Sequence, residues 1–263
     1  MTDSDSPASS DDDTSDGVST GDAPVTIEDD GIGRWLLRSD DDTAVLMRDV
    51  VSIAAVVAVV GLLLFAVSGV WPPFVAVESP SMEPNMNTGD LVFVVDQHRF
   101  EGAGTVADTG VVTKSSAADS SDGRFGGTGD VIVFAPGGDR TATPIIHRAH
   151  FWVDDGENWV DTKANQEYLG GNVDCDDVTY CPAPHAGFIT KGDANLRYDQ
   201  AGGGARTTVV APGWITGKAL FRIPWLGYVR LAVDSVLVSV PVLTGLTVAG
   251  ASIGIRSSFG RRF

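Results

Sequence analysis

The sequence predicts a mainly β protein, with a membrane-anchored β domain flanked by two transmembrane helices. Three observations predict it. An uninterrupted apolar run, Val50 to Val70, stands in the first third of the chain. A second and more diluted apolar stretch, Leu231 to Ile255, stands near its end. Between them lie short apolar or alternating runs bounded by glycine, proline and aspartate, a pattern of strands and turns.

Residues 1–32 are rich in Asp, Ser, Thr and Gly and almost devoid of large apolar side chains. Such a segment buries too little surface to offset its ordering entropy and is expected to be a disordered acidic tail. Residues 33–49 form a juxtamembrane segment carrying Arg34, Arg38 and Arg48. Residues 50–71 are expected to be the first transmembrane helix, since about 20 apolar residues cross a bilayer core. Trp71, Pro72, Pro73 and Phe74 close it with interfacial aromatics and helix-stopping prolines. A cleaved signal peptide is the competing reading. The leader is too long and the apolar run exceeds a usual signal core, so the segment reads as an uncleaved anchor.

Residues 229–255 are expected to be a second transmembrane helix, weakened by Asp234 near its start and Pro241 near its middle. An interfacial helix is the alternative. Arg256, Arg261 and Arg262 lie in the short tail, residues 256–263. Positive residues stay on the cytoplasmic side. Both termini are therefore expected in the cytoplasm, with residues 72–228 outside a two-pass cell-membrane protein.

Within that outer region, Leu91–Val95, Val131–Phe134, Ile145–Phe151, Thr207–Val210 and Ala219–Ile223 read as strands. "TGDLVFVV" from Thr88 and "TGDVIVFA" from Thr128 share a Gly-Asp turn opening an apolar strand. Two polar insertions interrupt the β pattern, at about residues 101–127 and 154–185. The rest is large enough to fold on its own.

The 263 residues carry a formal charge of −17, and lysine occurs only at positions 114, 163, 191 and 218. An acidic, lysine-poor surface stays hydrated when salt screens charge repulsion, which implies a halophilic source. An acidic tail on an ordinary protein is the alternative, because many of the acids precede residue 43. No basic stripe exists, which excludes a nucleic-acid partner. The two cysteines, Cys175 and Cys181, are too few for a zinc site without histidines, and no metal or other cofactor is expected. Outside the cell they are expected to form a disulfide, with two free thiols as the alternative.

Three segments carry candidate chemistry. In "ESPSMEPNMNTGD" Ser81 sits in a proline-framed turn, which can hold a hydroxyl outward beside N–H groups, as a nucleophile with an oxyanion hole requires. In "TPIIHRAHFW" His147 and His150 are candidate bases, since a neutral imidazole can take a serine proton and return it to a leaving amine. In "FITKGDANLRYDQ" Asp193 and Asp199 are candidate acids to orient that imidazole. Each has a plain structural reading beside the chemical one: a solvent-facing serine, strand histidines, and turn aspartates beside glycine.

Taken in order, these blocks resemble signal peptidase I of the archaeal and endoplasmic-reticulum type. "SPSMEP" with "GD" resembles that family's nucleophile block, "GDVIVF" with "IIHR" its base block, "TKGDANLRYD" its acid block, and "GKALFRIPWLGYV" its closing segment. The resemblance is spread over most of residues 74–229, and the acidic composition fits a haloarchaeal member. It implies a signal-peptidase-like β domain that cleaves signal peptides from secreted preproteins at the outer membrane surface. Its partners would be those preproteins, membrane lipid and the protein translocation machinery. By position it implies Ser81 as nucleophile, His147 as base where bacterial relatives carry lysine, and Asp199 as the triad acid. Asp193 matches a second acid, and the two assignments are open to exchange. It further implies that Ser79 helps hold the oxyanion and that Met82 lies beside the substrate cleft. Pro80 between the serines, Ala194 in place of an Asn, and the long 154–185 insertion depart from the pattern.

Two rivals stand beside this reading. A Ser-Lys protease of the self-cleaving repressor type lacks its expected soluble partner domain here, and Lys114 lies in a polar loop. A catalytically inactive membrane-tethered β domain, serving as a binding or scaffold protein in secretion, is the other.

Overall fold

A computed structural model of the chain describes residues 33, 41–117, 123–201, 206–233 and 235. The expected acidic tail, the C-terminal tail and most of the second expected span lie outside the described residues. The chain divides into two compact units within its long helix, Met1–Val60 and Gly61–Phe263, the second carrying the sheet.

That helix, α1, runs Asp42–Ser68 and is long and apolar enough to cross a membrane. It starts eight residues before the expected span, because a helix need not stop where its apolar face does. The Asp41 carboxylate accepts the Thr43 N–H and caps the start. Gly69, with φ +77°, ends it by returning its N–H to the Phe65 carbonyl.

Among the described residues six antiparallel strands form one sheet: β1 (Phe74–Ala76), β2 (Leu91–Val95), β3 (Val131–Phe134), β4 (Ile145–Val153), β5 (Gly187–Lys191) and β6 (Ile215–Ile223). Their spatial order is β1-β2-β6-β3-β4-β5, so the last strand returns to the middle and joins two hairpin-like halves. The two Thr-Gly-Asp segments open β2 and β3 in the same way. Gly89 and Gly129 both take positive φ, +87° and +82°. Each following aspartate then accepts a backbone N–H and faces a cation on β6. Asp90 accepts from Asn87 at 2.9 Å and from Arg222 at 2.6 Å. Asp130 accepts from Val112 at 2.9 Å, with the buried Lys218 ammonium 3.7 Å away.

Several expectations need correction. Thr207–Val210 is not a strand. It meets β5 only through one reciprocal pair of bonds between Val210 and Phe188, and it covers the sheet edge with buried Val209 and Val210. Both edge strands are additional: β1 is too short to show alternation, and β5 lies inside the acid block. β6 begins four residues earlier than expected.

The 154–185 segment is not a polar excursion. It contains a single helical turn, α2 (Trp159–Thr162), and buries Trp159, Val160, Leu169 and Val178 against Phe151 and Val153 of β4. The Trp159 indole is fully buried and its N–H reaches the Tyr180 carbonyl at 2.8 Å. The 101–127 segment also contributes buried residues, with Val111 packed on Ile132 and Phe134.

Candidate active site

Ser79 is extended, and Pro80 opens a single 3-10 turn, Pro80–Met82. Proline suits that place because its fixed φ starts the turn and its missing N–H has no intrahelical partner. Met82 and Met86 are fully buried beside Val92, Val94 and Val131, and they pin the turn to the sheet. Ser81, between the proline and the first methionine, is mostly buried but lines a cleft of about 580 Å³. Val75, Val94, Val133, Ile145 and Ile146 give that cleft apolar walls.

His147 lies on β4 opposite Ile132 of β3. Its Nε2 is 3.0 Å from Ser81 Oγ, and its Nδ1 is 2.6 Å from Asp199 Oδ2. The imidazole and the carboxylate are 2% and 1% exposed, so solvent does not compete for these bonds. A carboxylate accepts and cannot donate, which places the proton on Nδ1 and leaves Nε2 to accept the Ser81 hydroxyl. Asp199 is itself held: Thr190 Oγ1 donates to Oδ2 at 2.7 Å, and the Asp199 N–H donates to the Thr190 carbonyl at 2.9 Å. Gln200 then clasps Thr190, accepting its N–H at 3.0 Å and donating to its hydroxyl at 3.2 Å. Ser79 Oγ lies 3.1 Å from Ser81 Oγ and also lines the cleft.

Asp193 occupies a different place. Arg148 Nε and Nη2 donate to its two oxygens at 2.8 and 2.6 Å, and Asn85 Nδ2 donates at 2.8 Å. Burial pushes the Asp193 pKa up. The hydrogen bonds from Arg148 and Asn85, with the charges of Arg148 and Lys191, outweigh burial and hold it below the usual carboxylate value. Arg148 is 2% exposed and also donates to the carbonyls of Gly129 and Phe125. Lys191 Nζ ties the carbonyls of Gly192 and Asn195 at 2.9 and 2.7 Å, and its burial lowers its pKa.

The acid loop so fixed touches the nucleophile turn directly. The Ala194 N–H donates to the Ser81 carbonyl at 2.9 Å. That contact uses backbone, so Ala194 makes it without a polar side chain. Gly192 is the point of closest approach: a Cβ there would lie 2.5 Å from the Ser81 carbonyl oxygen and 2.9 Å from His147 Nε2.

The structure thus brings Ser81, His147, Asp199 and Ser79 together and sets Asp193 one ion pair away. Met82 does not line the cleft; it lies in the core beneath, its sulfur facing the Asp193 N–H at 3.5 Å. His150 is not part of the constellation. It is buried edge-on to the rings of Tyr168 and Tyr198. Cys175 and Cys181 form a disulfide, with Cys175 buried in the core around Trp159. Among the described residues no group of three or more His, Cys, Asp or Glu could hold a metal ion.

Sequence reasoning missed Thr190, Gln200 and Asn85. The signal for Thr190 is a hydroxyl inside the otherwise apolar "FIT" run, on a strand that the glycine after Lys191 ends.

The arrangement can take a proton from Ser81 onto His147 and stabilise the resulting imidazolium against Asp199. Ser79 can donate to an oxyanion formed beside Ser81. No family model matches the chain, and no curated protein matches it in sequence.

Proposed function

We propose that the chain is a membrane-anchored serine endopeptidase of the signal peptidase I type, which removes signal peptides from secreted preproteins. The observation that carries this is the buried line from Asp199 through His147 to Ser81, ending in an apolar cleft soon after an apolar helix. Burying both ionisable groups is costly, and their line-up on a cleft-lining hydroxyl favours catalysis over a scaffold role. Lys114 does not line the cleft, which favours His147 over it as the base.

In this reading Ser81 Oγ attacks the scissile carbonyl while its proton passes to His147 Nε2. The imidazolium then protonates the leaving amine, the new N-terminus of the mature protein. Water, activated by the neutral imidazole, hydrolyses the acyl-enzyme and restores Ser81. Apolar walls suit small residues at the first and third positions before the cut, as signal peptides carry. α1 anchors the enzyme in the cell membrane, with the β domain outside and both termini in the cytoplasm. A second span follows Tyr228. Anchoring confines enzyme and preprotein to one surface. Lipid and the translocation machinery are its surroundings, and no cofactor takes part.

The test is conversion of a preprotein by the full-length protein in lipid vesicles at high salt, with N-terminal sequencing of the product. Cleavage directly after a small-x-small motif supports the proposal. A preprotein that binds but stays intact supports the scaffold instead.

A further inference from the structure

We propose that the junction between the end of α1 and β2 is a positioning device. Ser68 and Arg99 hold the nucleophile at a set distance from the end of α1 and so select which bond of a preprotein is cut. This rests on the signal-peptidase reading above.

The last turns of α1, from Gly61, belong to the same compact unit as the sheet. Their exposure is inverted relative to a soluble helix. Leu62 and Leu63 are exposed, whereas Ser68 is 0% exposed. Ser68 is buried because it is bonded: its hydroxyl donates to the Val94 carbonyl at 2.7 Å, and its carbonyl accepts the Asp96 N–H at 2.8 Å. Five residues on, the Pro73 carbonyl accepts the Val94 N–H at 2.8 Å. The chain leaving the helix is thus laced to β2 along its length.

Arg99 closes the junction from the other side. The last carbonyls of a helix have no partner within it. Here the Arg99 guanidinium, from the turn after β2, donates to the Val67 carbonyl at 2.6 Å and to the Ala66 carbonyl. Gly69 leaves it room, for a Cβ there would sit 2.7 Å from Arg99 Nε.

β2 is also the strand under the nucleophile. Val92 and Val94 pack with Met82 and Met86, the two side chains that pin the Ser81 turn. A continuous packed path therefore runs from helix end to β2 to Ser81. None of its residues before Ser81 touches the reacting atoms, so Ser68 and Arg99 act by position. A preprotein presents its scissile region as extended chain, at ~3.4 Å per residue. If the junction loosened by a few ångströms, Ser81 would meet neighbouring peptide bonds.

The experiment uses full-length wild type, Ser68→Ala, Arg99→Gln, Arg99→Lys and the Ser68→Ala/Arg99→Gln double variant in lipid vesicles. One probe is a preprotein with two small-x-small motifs about three residues apart, ~10 Å of extended chain. The other is a short soluble peptide with a single motif. Wild type is expected to prefer one preprotein site by about tenfold or more. The double variant is expected to fall to about twofold, with peptide turnover within about twofold of wild type. Arg99→Lys keeps a donor for the same carbonyls and should keep the preference. An unchanged site ratio in the double variant overturns the inference. So does peptide turnover falling in parallel with preprotein cleavage, which marks general damage to the fold. Wild type that cuts neither probe means that the protease reading itself has failed.

Discussion

Asp193 grips Arg148 through two bonds, of 2.8 and 2.6 Å, and leaves His147 to Asp199. His147 and Arg148 are neighbours on β4, so alternation along the strand sends one side chain to each acid. The two acids of one short loop thereby divide the work. One faces the imidazole and the other clamps the loop to the strand that carries it.

This division predicts unequal effects. Asp199→Asn should lower the cleavage rate by about 10³-fold or more, because an amide favours the wrong imidazole tautomer. Asp193→Asn should lower it less, while costing about 3 kcal/mol of stability by leaving buried Arg148 short of a countercharge. Cleavage rates and unfolding midpoints at high and lower salt measure both. A dead Asp193→Asn beside a near-normal Asp199→Asn would exchange the two roles.

Gly192→Ala should cut activity by at least about 100-fold while the protein stays folded. The added methyl would lie within 3 Å of the Ser81 carbonyl oxygen, Asn195 Nδ2 and His147 Nε2, so the loop and the site must shift apart, and small misplacements at a reacting centre are costly. Turnover together with a thermal melt checks this. Near-normal turnover would mean that the acid loop is free to back away.

Acid should destabilise the fold through His150. Burial, then the charges of Lys114 and Lys191, push its pKa from 6.5 down to about 3, with Asp193 pulling weakly the other way and Arg148 adding to the shift. As pH falls through 6.5 the unfolded chain takes up a proton that the folded chain refuses. Stability is therefore lost between pH 6.5 and about 3, by up to about 1.4 kcal/mol per pH unit, and this contribution is flat below. His150→Phe keeps a ring against Tyr168 and Tyr198 and should flatten that limb. Denaturant midpoints from pH 7 to 4 test it, and an unchanged slope in the variant would contradict it.

Losing the disulfide should cost about 2 kcal/mol, the scale for closing a short loop, with little change in cleavage rate. Cys175 packs around Trp159 and not in the cleft. Unfolding of the Cys175→Ser/Cys181→Ser variant, with mass spectrometry of the non-reduced protein, checks it. Two free thiols in the native protein would contradict the pairing.

Much of this was legible from residue order, and the reasons are physical. Val50–Val70 announces, by length and composition, a helix long and apolar enough to cross a membrane. Ser81 stands in a proline-framed turn, whereas His147 and Asp199, both buried, stand out only through the order of the blocks that carry them. What stayed hidden depends on long-range packing. Phe74–Ala76 is too short for a period to show, and it becomes a strand only because β2 offers partners. The 154–185 segment looks polar because its charged residues outnumber Trp159, Val160 and Leu169, yet those few large side chains decide its burial. Met82 follows Ser81 directly, but the 3-10 turn sends it into the core behind the cleft walls while Ser81 faces the cleft. The bidentate Asp193–Arg148 pair needed a loop and a strand far apart in sequence to meet.

The central claim is that Ser81 is the nucleophile of a preprotein-cleaving site. The most direct measurement is the rate of mature-protein release from a preprotein in vesicles, for wild type and Ser81→Ala at equal membrane content. The account predicts steady cleavage by wild type, a fall of about 10³-fold or more for Ser81→Ala, and unchanged membrane insertion. Cleavage by Ser81→Ala near the wild-type rate would contradict it.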